Sequence, residues 1–83
     1  MIRKYVSDIA DQMGIQLSQV LFVEGSKVGC RDVHLLNIVA DGQRVSTLVY
    51  QSDLDELQSV LSCLRLEIKI RTALSKLKML LKP

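Results

Sequence analysis

The short run "CRDVH", residues 30–34, sets Cys30, Asp32 and His34 at alternating positions. In an extended segment these three side chains point the same way. Zinc wants three or four such ligands, usually with a second Cys or His pair elsewhere, and only Cys63 is left to supply it. A Cys–His nucleophilic pair needs the two groups within hydrogen-bond reach. Alternate strand positions lie about 6.6–7 Å apart, which puts Cys30 and His34 at about twice that. The expected reading is a thiol at a strand edge and a histidine on the sheet, with no metal, cofactor or catalytic site. "GSKVG", residues 25–29, has glycines and a lysine but lacks the longer Gly-rich run of a phosphate-binding loop, so a mobile surface loop is expected.

A second arrangement concerns nucleic acid. In "IADQMGIQLSQV", residues 9–20, Ala10, Gly14 and Val20 stand where a helix-turn-helix places a small residue, a turn and a buried aliphatic. The reading helix would be "QLSQVLFVEG", which would turn Leu17, Leu21 and Phe22 toward the groove. It has no Arg or Lys, and phosphate contacts need cations. Gln16 and Gln19 are its only plausible base readers. The preferred reading is a helix stopped by Gly14, followed by a buried strand. A DNA-binding regulator built on residues 5–24 is kept as the alternative.

The third arrangement is the C-terminal run "RLEIKIRTALSKLKMLLK", a basic amphipathic helix over 65–82. Arg65, Lys69 and Lys76 share a polar face, while Leu66, Ile70, Leu74, Leu77 and Leu81 form an apolar stripe. Such a helix can dock on a partner, lie on an anionic surface or follow a phosphate backbone. No aromatic residue interleaves the cations, which weakens the last two readings.

Residues 2–13 read as a first helix, with Tyr5 or Val6, Ile9, Ala10 and Met13 at helical spacing and Gly14 as its stop. Val20 to Val23 are consecutive apolar residues, a short run that suits a buried strand, with a short helix as the alternative. "VHLLNIVA" and "QRVSTLVY" flank Asp41-Gly42, the signature of a two-residue hairpin turn. That turn fixes the register, with Ala40 facing Gln43 and Val33 facing Tyr50. One hairpin face has an apolar centre. The other is polar near the turn and apolar at its far end, where Val33, Leu35, Leu48 and Tyr50 need a cover.

Residues 53–82 contain no Gly or Pro, and Ser52 can cap their start. Leu54, Leu57, Leu61, Leu64 and Ile68 share one stripe, and the 66–81 set lies on another. The expectation is one long or sharply kinked helix, with an αα-hairpin as the alternative. The fold class is therefore α+β in a single domain over 1–83: helix, short strand, hairpin, C-terminal helix.

Eighty-three residues bury only a small core, and such chains commonly lean on a partner, a metal or disulfides. Hydrophobic residues make up 48% of the chain and mean hydropathy is +0.22. This apolar excess favours self-association. Residues 1–64 carry five basic against eight acidic residues, net −3, and residues 65–83 carry six against one, net +5. The opening "MIRK" leads into no apolar segment of signal-peptide length, and no run reaches a membrane span. The cytoplasm, with reduced thiols, is the expected compartment. The sequence thus points to a non-enzymatic protein-binding module, an adaptor, chaperone or regulator acting as a homodimer. Its expected surface joins Val33, Leu35, Leu48 and Tyr50 to Leu66, Ile70, Leu74, Leu77 and Leu81, with Lys69 and Lys76 steering acidic partners.

Overall fold

The computed structural model describes residues 2–29, 31–60 and 62–81. The order is α1 (Ile2–Gln12), β1 (Gln19–Val23), a 3-10 turn (Gly25–Val28), β2 (Val33–Ala40), β3 (Gln43–Tyr50), α2 (Gln51–Val60) and α3 (Leu64–Leu81). The class is α+β. The strands form one antiparallel sheet in the order β1-β2-β3.

Local chemistry explains most boundaries. α1 ends where Gly14 takes φ +74°, a left-handed conformation that costs glycine little, and the Ile15 N–H closes on the Ala10 carbonyl. The hairpin turn has Asp41 at φ 48° and Gly42 at φ 80°, the positive values a type I′ turn requires. The register runs from Ala40 opposite Gln43 to Val33 opposite Tyr50, as the two-residue turn dictates. The surface segment Gly25–Val28 forms a 3-10 turn closed by Gly29 in the left-handed conformation.

The hairpin face carrying His34, Leu36, Ile38, Ala40, Val45 and Val49 is buried. α3 packs across β3 and β2, and α1 packs against β1 and α3. Val6, Ile9 and Ala10 from α1 meet Leu66, Ile70, Ala73, Leu74 and Leu77 from α3 in one cluster with the sheet. Both helices therefore lie on a single face of the sheet, and the second face stays open.

Two sequence expectations change here. The C-terminal region is broken into two helices, as the alternative had it, rather than one long or kinked helix: α2 ends at Val60 and α3 begins at Leu64. The physical reason is the change of apolar face. Leu57 is buried from α2, and Leu66, Ile70, Leu74 and Leu77 are buried from α3. A straight helix could not turn both stripes to one core. The cost falls on the stripe drawn through Leu64 and Ile68, which are 70% and 56% exposed; Leu61 lies outside the described residues. α2 also begins earlier than the Ser52 cap implied, at Gln51, whose N–H donates to the Asp32 carbonyl at 2.9 Å.

The second change concerns burial: the strand after Gly14 forms as preferred, but Leu21 and Val23 are exposed rather than buried, and the helix-turn-helix alternative falls with it. Residues 19–23 are strand, so the element that would enter a major groove is absent.

Candidate functional site: the open sheet face and its edges

Alternation along the strands places Leu21 and Val23 of β1, Val33 and Leu35 of β2, and Leu48 and Tyr50 of β3 on the open face. The register aligns Val23, Leu35 and Leu48 in a row across all three strands, and sets Val33 beside Tyr50. Leu21, Val23, Leu35, Leu48 and Tyr50 are all exposed. Toward the turn the same face becomes polar: Asn37 accepts a hydrogen bond from the Ser46 hydroxyl, and Val39 lies between Gln19 and Arg44.

The hairpin half of the expected surface is thus brought together: Val33, Leu35, Leu48 and Tyr50 form one patch, which β1 extends. The helical half is not part of it. Leu66, Ile70, Leu74 and Leu77 are fully buried in the chain's own core, and Leu81 is half-buried against it. They hold α3 to the opposite face of the sheet and offer nothing to a partner. The stripe spacing was visible in the sequence, but the same spacing serves an internal core and an interface equally well.

The cations of α3 are also used internally. Lys69 Nζ stands 3.9 Å from the centre of the Tyr50 ring, 3.4 Å from the Leu48 carbonyl oxygen and 3.5 Å from Asp53 Oδ2. Asp53 is 2% exposed and also receives Arg65 at 3.4 Å, so two cations meet one buried carboxylate. Arg65 bonds Glu56 at 3.1 Å as well. Its guanidinium pKa is raised above the usual value, first by a hydrogen bond with Cys63 and then by the Asp53 and Glu56 carboxylates. Cys63 is buried, its thiol donating toward Glu56 at 3.6 Å and Asp53 at 3.9 Å. Arg71 pairs with Glu67 at 2.8 Å, and Lys78 donates to the Met13 carbonyl. Lys76 is exposed, and Lys82 lies outside the described residues.

Lys69 has a second consequence, for the edge of the sheet. A two-residue turn makes Ala40–Gln43 a hydrogen-bonded pair, and bonded and non-bonded pairs alternate from there. Leu48 then falls in a non-bonded pair and turns its N–H and C=O away from β2. Lys69 meets that outward carbonyl, which is how a lysine blunts an edge strand. On β2 the groups turned away from β3 belong to Leu35, Asn37 and Val39, which face Val23, Leu21 and Gln19. The outward backbone groups of β1 are therefore those of Val20 and Phe22. β1 carries no Lys and no Pro.

His34 is 5% exposed on the covered face. Its Nδ1 accepts the Gly25 N–H at 2.9 Å, which leaves Nε2 to carry the proton and donate to Gln51 Oε1 at 2.6 Å. The Gln51 amide nitrogen donates onward to Asp55. Both ring nitrogens are engaged in tying the 3-10 turn to the start of α2, and the ring packs 5.2 Å from Phe22. A cavity of about 380 Å³ adjoins it, lined in part by Glu24, Arg31, Gln51 and Gln58. Cys30 lies outside the described residues. Among the described residues no group of His, Cys, Asp and Glu is arranged to hold a metal ion, and no helix is long and apolar enough to cross a membrane.

Comparison of the chain with protein-family models, with curated proteins and with solved structures finds no match. The geometry is what bears on function.

Proposed function

We propose that this chain is a non-enzymatic protein-binding module, an adaptor, chaperone or regulator of the cytoplasm, and that its docking surface is the open face of the sheet. The observation that carries the reading is the row Val23–Leu35–Leu48 with Val33 and Tyr50 beside it, an apolar patch that no helix among the described residues covers. Contiguous apolar surface in so small a domain marks a site that excludes water against another chain. The polar end of the face carries Arg44 as its charged group, so the matching partner has an apolar centre and a carboxylate at one end. Basic steering by α3 is a smaller part of this reading, because Arg65, Lys69 and Arg71 are already paired with carboxylates. The competing expectation, a DNA-binding regulator, loses the helix it requires to β1.

The test is site-specific photo-crosslinking in cells that make the protein. A photoreactive side chain at Leu48 is expected to give a discrete adduct that disappears when Leu35→Arg is added. The same group at Thr72, on the exposed side of α3, is expected to give none. Equal adducts from both positions, or none from Leu48, overturn the reading.

A further inference from the structure

β1 has the composition of an interior strand and the position of an edge strand. Val20, Leu21, Phe22 and Val23 are apolar on both faces and carry none of the charge or proline by which exposed edge strands are usually blunted. Yet among the described residues only β2 pairs with it. Leu21 and Val23 are exposed, and Val20 and Phe22 are only half-buried beneath α1. The opposite edge is guarded by Lys69, whereas β1 is not.

We infer that the free edge of β1 pairs antiparallel with β1 of a second copy, about a two-fold axis through Leu21, to make a continuous six-stranded sheet. Three observations select this occupant. First, the register that overlaps the whole strand sets Val20 opposite Phe22 of the partner subunit. These are the two residues whose N–H and C=O groups point outward, so each such pair exchanges both hydrogen bonds, and symmetry repeats it. Second, the same register stacks Leu21 on its own copy and an aromatic on a β-branched residue, with no charge brought into the centre. Third, it places Glu24 of the partner subunit opposite Ser18. A groove of about 360 Å³ between α1 and β1 is lined there by Arg3, Ser7, Leu17 and Ser18. Glu24 continues the strand in extended conformation (φ −67°, ψ 128°), and neither Arg3 nor Glu24 has an ion-pair partner among the described residues. Arg3 and Glu24 from the two copies meet at both ends of the joint.

The pairing holds whether or not the open face binds a partner, but it bears on that face. A three-stranded sheet of this length offers about 400 Å² in projection, a small platform beside the ~800 Å² of accessible surface that each side of a standard interface contributes. Joining two sheets through β1 doubles the platform and keeps both apolar rows on one side.

Sedimentation velocity of the purified full chain over a concentration series tests the inference. The wild type is expected to dimerise. Val20→Pro removes an N–H that the β1–β2 ladder does not use, and is expected to give a monomer with unchanged circular dichroism. Arg3→Glu is expected to weaken the dimer about tenfold, since two ion pairs become two repulsions, and Arg3→Glu with Glu24→Arg to restore it. A wild-type monomer throughout, or a dimer indifferent to both Val20→Pro and Arg3→Glu, overturns the inference. A dimer lost instead on Leu48→Arg also overturns it, and moves self-association to the open face. The first two results leave the crosslinking outcome from Leu48 unchanged, and in the third the Leu48 adduct is expected at twice the mass of the chain, so the two proposals fail separately.

Discussion

Tyr5 shows how one partly buried group sets a pH dependence. It packs at the margin of the core on α1, and its phenol pKa is raised, first by burial and then by the Glu67 carboxylate. A raised phenol pKa means the folded state holds the proton longer than the unfolded chain. The stabilisation is therefore complete below the unfolded value near 10 and is lost as pH rises through the folded one. Thermal melts across the alkaline range are expected to show this loss in the wild type and a flatter profile in Tyr5→Phe. Individual side chains were the least legible level of the sequence. His34 could be placed on the sheet by alternation, but its partners Gly25 and Gln51 lie nine and seventeen residues away. Asp53 reads in sequence as a charge at a helix start. Its burial between Lys69 and Arg65 depends on a helix break that carries no glycine or proline.

At the scale of elements, α3 separates two stripes that the sequence makes look alike. Leu74 is fully buried and Ile68 faces solvent, although both belong to aliphatic series at helical spacing. Leu74→Ala is expected to cost about 2–5 kcal/mol, and Ile68→Ala to stay within about 0.5 kcal/mol, as read by urea denaturation. The hairpin was legible down to each residue pair, because Asp41-Gly42 dictates the turn and the turn dictates the register. The helices were legible as pattern but not as destination. Periodicity says which residues share a face, and Leu66, Ile70, Leu74 and Leu77 share one in either reading. Whether that face meets the chain's own sheet or another molecule is decided by long-range packing. The break between Val60 and Leu64 left a trace in the shift of stripe from Leu57 to Leu66, since one straight helix cannot bury both against a single sheet.

For the molecule as a whole, helices on one side and an open sheet on the other were half legible. The apolar outer end of the hairpin announced that a cover was needed, and the sequence left the neighbours of the 17–24 strand, the last helix or another subunit to supply it. The structure gives that helix to the other face and leaves the open one to β1, β2 and β3. The two borders of the sheet then differ in a way that governs stoichiometry. In the terms of polymer chemistry, a strand with two reactive sides propagates, and a strand with one terminates. In the assembly proposed above, Lys69, held over Tyr50 and against the Leu48 carbonyl, would make the chain monofunctional, with β1 as the one edge left to add a neighbour. Lys69→Ala is expected to give species beyond the dimer in light scattering, with thioflavin T fluorescence that grows with concentration. Lys69→Arg is expected to stay at two. A single ammonium group, shared among one carbonyl, one carboxylate and one ring, would then be the difference between a counted assembly and an uncounted one.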